Sequence, residues 1–209
     1  DGKQVGLHES YYENGRLWYK GNWKNGKKDG FEEEYSFDGQ LFKKGNYKEG
    51  IMDGLWESYI EGKLQYKENY KDGKKDGLYE SYYENGQLSG KGNVKDGKFD
   101  GPFEYYYYEN GQLESRGNYK EGRIGLWEYF HENGQLKSKG NFKKGKRDGL
   151  WEWYHENGQL SIKENFKDGK SVGLYEDFYK KNGQLFSKGN YDDNKRIGVW
   201  EFFNSDGSL

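Results

Sequence analysis

The sequence predicts an all-β protein, an elongated, twisted, single-layer antiparallel sheet of tandem β-hairpin repeats of about 24 residues each. Three observations carry this prediction. A Gly opens each repeat and recurs every 23 to 25 residues, aromatic residues take the place of aliphatic ones, and Asn-Gly pairs separate strand-like segments. A fixed period of this size is typical of a stacked array in which each unit contacts its neighbours.

The opening Gly divides the chain into eight full units and a ninth that breaks off after its first half. We therefore expect a single repeat array over residues 1–209. The opening positions are Gly6, Gly30, Gly54, Gly77, Gly101, Gly125, Gly149, Gly173 and Gly198.

Composition argues against an ordinary globular domain. Leu, Ile, Val and Phe number only 36 of 209 residues, whereas 21 Tyr and 7 Trp supply the apolar bulk. The net charge is −2, and its 34 basic and 36 acidic residues are interleaved, so neither disorder nor a polybasic tail is predicted. The absence of Cys excludes disulfides and thiolate metal sites.

Two strand-like segments alternate in each unit, for example Leu126–Phe130 and Leu136–Phe142. Tyr, Trp and Phe favour strands. The Asn133-Gly134 pair between them predicts a two-residue type I′ hairpin turn, which needs positive φ at both residues. A second turn at Lys144–Gly149 returns the chain, so about sixteen strands are expected.

The register of each hairpin follows from its turn. A two-residue turn at Asn133-Gly134 places Glu128 directly opposite Lys139. Three units have one residue more or fewer near the turn, where a bulge or another loop would absorb the change. The expected pairs are Glu9–Lys20, Glu33–Lys44, Glu57–Lys67, Glu80–Lys91, Glu104–Arg116, Glu128–Lys139, Glu152–Lys163 and Glu176–Lys188.

The blocks G-L-W-E, E-N-G-Q-L and K-G-N-Y resemble the MORN repeat, in the variant form found in bacterial proteins, and the resemblance covers residues 1–209. Gly125–Asp148 and Gly149–Asp168 are the clean copies, although Glu164 in the second of them replaces the strand Gly, as Glu68 does in an earlier unit. The resemblance implies a sheet used for interaction or scaffolding. Bacterial chains of this kind also resemble proteins labelled YwqK-like antitoxins, and phospholipid binding has been suggested for such arrays.

No catalytic, cofactor-binding or metal-binding residue is predicted. The repeated Glu occurs once per unit with a basic partner, which favours cross-strand ion pairs over acid–base catalysis. His131 and His155 occupy a slot that is Tyr in other units, which favours a surface substitution over a metal pair. The glycines are too regularly spaced for a phosphate cradle, and no cofactor is expected.

Two rows of aromatic residues are the functional candidates. They form the core of the sheet, or part of one row lines a groove for a peptide, a glycan or another sheet. The candidate interaction surface consists of Tyr59, Tyr82, Tyr106, Phe130, Tyr154, Trp56, Trp127 and Trp151.

The sequence therefore predicts a non-enzymatic protein that binds or scaffolds another protein. An antitoxin or immunity protein, and a glycan- or cell-wall-binding array, are the alternatives. Self-association through open sheet edges is a further expectation. The balanced charge argues against nucleic acid, and it gives only weak support to membranes. The compartment is not assigned, cytoplasmic or exported, because the chain begins inside a repeat and any signal peptide would be missing.

Overall fold

A computed structural model describes residues 2–209, so the predicted array lies within the described part of the chain except for Asp1. These residues contain seventeen β-strands and no helix, hence no helical segment that could cross a bilayer. The strands are β1 Gly6–Tyr11, β2 Leu17–Lys24, β3 Lys27–Tyr35, β4 Leu41–Lys48, β5 Ile51–Ile60, β6 Lys63–Lys71, β7 Lys74–Tyr82, β8 Leu88–Lys95, β9 Lys98–Tyr106, β10 Leu113–Lys120, β11 Arg123–Phe130, β12 Leu136–Lys143, β13 Lys146–Tyr154, β14 Leu160–Lys167, β15 Lys170–Phe178, β16 Leu185–Asp192 and β17 Lys195–Phe202.

The chain divides into two compact units. Unit 1 ends at Asp100 and contains β1 to β8, and unit 2 runs from Gly101 to Leu209 and contains β10 to β17, while β9 crosses the division. Within unit 1 each strand pairs antiparallel with the next one in sequence. The same holds from β10 to β17 in unit 2. The predicted all-β antiparallel sheet of tandem hairpins is confirmed.

The two-residue turn was predicted at Asn133-Gly134, and this position is wrong. The two-residue turn with positive φ at both residues lies at Lys144-Gly145, with φ of 50° and 78°, and strand β13 starts directly after it. At Asn133-Gly134 only the Gly has positive φ. There Gly134 N donates to His131 O at 2.8 Å, which fits a type I turn with Gly in its fourth position.

The predicted register nevertheless holds. Glu128 pairs with Lys139 on β12. The longer Asn-Gly loop is compensated by a bulge, since Phe130 pairs with Leu136 and skips one residue. The pairings of the other hairpins in which the two strands belong to one unit agree with the sequence: Glu9–Lys20, Glu33–Lys44, Glu57–Lys67, Glu80–Lys91, Glu152–Lys163 and Glu176–Lys188.

Side chains alternate between two faces along each strand. The face that carries Trp127 is called here the Trp face, and the face that carries Leu126 and Glu128 is called the Leu face. The Trp face holds the buried aromatic residues, and the Leu face is more open.

Consecutive repeats are also joined at their turns. Asn133 Oδ1 accepts from Gln135 N at 3.0 Å within its own turn, while its Nδ2 donates to Glu156 O of the next repeat at 3.0 Å. The same side-chain amide reaches the following turn from Asn14, Asn110, Asn157 and Asn182. Each Asn therefore shapes one turn and binds the next.

Candidate interaction surface

The aromatic residues that precede the repeated Glu form the core of the sheet. Trp56, Trp127 and Trp151 are 2%, 0% and 1% exposed. Side chains enclosed to this degree cannot contact a partner, so the assignment of these three residues to the candidate interaction surface is corrected. Of the two interpretations of the aromatic rows, their burial supports the core.

Each Trp is enclosed by neighbours within one layer of sheet. Trp151 lies across Gly140 of the preceding strand. The guanidinium of Arg147 lies over its ring, 4.6 Å from the centroid, and Phe142 contacts it edge-on with centroids 5.1 Å apart. The indole Nε1 donates to Asn141 O at 3.1 Å. The ring is therefore covered, and its N–H group is hydrogen-bonded, without a second layer of secondary structure.

A bare strand Gly is required beneath each of these rings. A Cβ added to Gly140 would lie 2.3 Å from Trp151 Cδ2, well inside contact distance. The indole thus occupies the space that a side chain would fill. The same close approach joins Gly45 to Trp56, Gly117 to Trp127 and Gly189 to Trp200.

Where the strand Gly is replaced by Glu, the aromatic residue opposite it on the following strand is Tyr and not Trp. Glu68 faces Tyr79, and Glu164 faces Tyr175. The position that holds Arg in the Trp repeats of unit 2 also changes. Lys75 Nζ binds Glu68 at 2.6 Å, and Ser171 Oγ donates to Glu164 at 2.5 Å. The three positions therefore change together, and the introduced carboxylate binds the side chain at the third position.

Glu32 takes the place of Trp in the second repeat and is 1% exposed. Its Oε2 lies 2.7 Å from Lys28 Nζ and accepts from Tyr19 Oη at 3.0 Å. Burial, together with the charge of Glu32, raises the pKa of Tyr19 to about 12. The Trp face of unit 1 thus contains a polar cluster at the position where the next repeat has the indole of Trp56.

The five remaining candidate residues, the Tyr and Phe two positions after the Glu, lie on the Leu face and are partly exposed. The four Tyr hydroxyls each donate to that Glu. Burial, followed by this hydrogen bond, raises the pKa of Tyr59 and Tyr154. The bonds are Tyr59–Glu57 at 2.7 Å, Tyr82–Glu80 at 2.5 Å, Tyr106–Glu104 at 2.6 Å and Tyr154–Glu152 at 3.0 Å, while the ring of Phe130 lies 5.6 Å from the guanidinium of Arg116.

The close ion pairs of the Leu face connect one hairpin to the next. Lys139 is the register partner of both Glu128 and Glu152, and it forms its 3.1 Å ion pair with Glu152, in the following repeat. The first hairpin shows the expected internal pair, Lys20–Glu9 at 3.5 Å. The other pairs between hairpins are Lys44–Glu57, Arg116–Glu128 and Lys188–Glu201.

A row of exposed apolar side chains was missed by the sequence reasoning. It consists of the residue after each opening Gly, and Leu126, Leu150 and Leu174 are 50%, 45% and 46% exposed. The same position is held by Leu7, Phe31, Leu55 and Leu78 in unit 1, and by Pro102 and Val199 in unit 2. Strand alternation relative to the buried Trp was the signal that could have found it, because it places this residue on the open face.

The histidine slot has a structural role. His131 Nε2 lies 2.9 Å from the backbone oxygen of Tyr154 in the next repeat, where Tyr12 and Tyr179 donate to the equivalent oxygens of Tyr35 and Phe203. Within residues 2–209, no group of three or more His, Cys, Asp or Glu side chains is placed to hold a metal ion.

These features define a class: a β-hairpin repeat protein whose units bind one another and whose Leu face is open. The MORN repeat variant model matches residues 4–25, 75–96, 104–121, 123–144 and 147–168, slightly more than half of the chain. The chain therefore belongs to the MORN repeat variant family, as the sequence predicted. Repeats of this family are generally associated with protein or membrane binding, and the fold is of a binding or scaffold type and not that of a known enzyme family. No curated protein matches the chain.

Proposed function

We propose that the chain is a non-enzymatic interaction or scaffolding protein that binds another protein through the Leu face. The observation that carries this proposal is the row of half-exposed apolar residues, one per repeat, on the face opposite the Trp core. Exposed apolar side chains repeated along one face, beside a row of partly exposed aromatic rings, form the kind of apolar surface that marks interaction sites.

The chemistry of the Leu face suits a protein partner. Beside the apolar row run the ion pairs of Glu and basic residues, and beyond them lie Tyr side chains with hydroxyls on the carboxylates. An apolar centre with Tyr and paired charges around it resembles the composition of protein interfaces. The charges nearly balance, which gives an anionic membrane or nucleic acid little long-range attraction.

The antitoxin proposal is a special case of this function, with a toxic protein as partner. A glycan- or cell-wall-binding array would need exposed aromatic rings on which sugars stack. Trp56, Trp127 and Trp151 do not offer them, because they are buried. The rings of Tyr59, Tyr82 and Tyr154 on the Leu face are partly exposed, but their hydroxyls are bound to Glu and exposed apolar side chains lie on the same face, which favours a protein partner.

The test compares three forms of the protein as bait in lysate of the source organism. The face variant carries Leu126→Lys, Leu150→Lys and Leu174→Lys. The control, Gln112→Lys, Gln135→Lys and Gln184→Lys, adds the same charge at exposed turn positions. Wild type and control should enrich one defined protein that the face variant loses, and the purified partner should bind with the same pattern. Saturable retention on cell walls or glycans, without a partner sensitive to the Leu substitutions, would overturn the proposal.

A further inference from the structure

We propose that the Leu face of unit 2 binds a second copy of this chain. The proposal rests on the proposed interaction role of that face, and names one partner for it. Three features of the face carry the argument: the spacing of the apolar row, the alternation of the charged row, and the area of the two rows with the adjacent aromatic one.

The Leu residues of the apolar row are separated by polar residues. Leu126 pairs with Asn141, Leu150 with Asn165, and Leu174 with Asn190, so within each hairpin Leu stands on the odd-numbered strand and Asn on the even-numbered one. Between hairpins the register shifts at a bulge, where Asn141 pairs with Asp148. Successive Leu are therefore two strands apart, about 9.6 Å. The amide of Asn165 is held down on the sheet, since its Nδ2 donates to Leu174 O at 3.2 Å. The gap between Leu150 and Leu174 is thus low and polar.

The charged row alternates with the same period. Arg116 on β10, Glu128 on β11, Lys139 on β12 and Glu152 on β13 follow one another in register. Basic residues therefore stand on the even-numbered strands and acidic residues on the odd-numbered ones. The row has no net charge over a whole repeat, so it presents no like-charge barrier to a copy of itself.

One symmetry operation makes both rows self-complementary. A two-fold axis parallel to the strands and midway between two neighbours exchanges odd and even positions. It brings each Leu of one copy over an Asn gap of the other, and each Glu opposite a basic residue. This is an isologous contact, in which the same patch serves both partners. Twisted sheets of the same hand also pack face to face in a nearly aligned orientation.

The area is sufficient for a stable dimer. The apolar, charged and aromatic rows of β10 to β17 cover about 40 Å by 20 Å, taking about 4.8 Å per strand and about 3.4 Å per residue. That is close to the roughly 800 Å² per partner of a standard specific interface.

Sedimentation velocity over a range of concentrations tests the proposal, with circular dichroism as the check on folding. Wild type and the Gln112→Lys, Gln135→Lys, Gln184→Lys control should sediment as dimers. The Leu126→Lys, Leu150→Lys, Leu174→Lys variant should be a folded monomer. A wild type that stays monomeric up to about 100 μM, or a face variant that stays dimeric, would overturn the self-association.

A charge-swap pair tests the alignment of the two copies. Glu128→Lys, Glu152→Lys, Glu176→Lys makes the row basic, and Arg116→Glu, Lys139→Glu, Lys163→Glu makes it acidic. Each folded variant alone should be monomeric, and an equimolar mixture should form a heterodimer. Two folded variants that do not associate on mixing would contradict the proposed symmetry. Failure of self-association leaves the proposed function to its own test, since capture of a different protein through Leu126, Leu150 and Leu174 does not need a dimer.

Discussion

Trp151 and Gly140 face each other on neighbouring strands, and the indole ring lies so close that an added Cβ on Gly140 would be 2.3 Å from its Cδ2. The nearest atoms belong to a rigid buried ring, which cannot give way as a flexible side chain would. We therefore expect Gly140→Ala to destabilise the protein by about 1–3 kcal/mol, the usual cost of overpacking. Denaturant unfolding measures it.

The natural Glu repeats supply the control for this prediction. Gly140→Glu alone should cost more than Gly140→Ala. Adding Trp151→Tyr and Arg147→Ser reproduces the Glu164, Tyr175, Ser171 set and should recover part of the loss. Gly2→Ala, where an added Cβ meets nothing within 4 Å, should have no measurable effect. If the triple variant were no more stable than Gly140→Glu alone, the coupling of the three positions would be refuted.

Gly86 isolates the backbone requirement of the Asn-Gly turn. Its φ is +83°, and an added Cβ would meet no atom within 4 Å, so strain and not a clash decides the outcome. Gly86→Val should lower the free energy of unfolding by at least about 1–2 kcal/mol, the penalty for an L-residue in the left-handed region. Gly86→Asn should lose less, because Asn tolerates that region. Equal melting temperatures for the two variants would count against this turn geometry.

Asn133 separates the bond within a turn from the bond between repeats. Asn133→Asp keeps the oxygen that accepts from Gln135 N but removes the amide that donates to Glu156 O. We expect a loss of about 1 kcal/mol from the missing bond, and a larger loss for Asn133→Ala, which removes both. Amide hydrogen exchange should show faster exchange on both sides of the junction in each variant. An Asp variant as stable as wild type would show that the bond between turns contributes nothing.

The carboxylates of the Leu face predict a loss of stability in acid. Burial alone would raise the pKa of Glu152, but the hydrogen bonds from Lys139 and Tyr154 outweigh it and hold the pKa below the usual 4.5. Glu57, bound by Lys44 and Tyr59, has its pKa lowered in the same way. A pKa lowered by folding contributes stability above the unfolded value of about 4.3, and that stability is lost as the pH falls through the folded pKa.

Unfolding measured between pH 6 and pH 3 should therefore become easier below about pH 4.5. The free energy of unfolding should fall less steeply with decreasing pH in Glu152→Gln. The variant Glu156→Gln, at an exposed turn position, should show the same pH dependence as wild type. A Glu152→Gln profile that overlays wild type would show that this pair does not contribute to the acid dependence.

The register was predictable because it depends on a strict alternation that the sequence displays directly. Glu128 and Lys139 pair as predicted even though the turn between them is not the expected one. The bulge at Phe130 compensates for the extra length of the loop, so the register of the two strands is preserved. Lys144 adopts positive φ in the true two-residue turn. Its identity gives no sign of this, since Asn and Gly are the residues that favour such turns.

The burial of Trp127 and Trp151 could not be derived from alternation alone. Alternation gives the face, but a single layer leaves open whether that face is covered. The cover comes from Arg123 and Arg147, whose guanidinium groups lie 4.4 Å and 4.6 Å from the two ring centroids. Side chains with a charge at the tip and an apolar stem can cover a ring and still reach water. Whether an Arg covers a Trp ring depends on its side-chain conformation, which a sequence pattern does not specify.

The bond from Asn133 to the turn of Glu156, like the stacking of Trp151 on Gly140, joins one repeat to the next. Because links of about one period and of about half a period both recur along the chain, the boundaries of a repeat are arbitrary. Within the regular stretch of residues 123–168, a duplication or deletion of 24 residues could begin at any phase and still present each link with its partner. A gene encoding such a chain can lengthen or shorten by unequal recombination without first finding a domain boundary, and the size of the Leu face would change in the same steps.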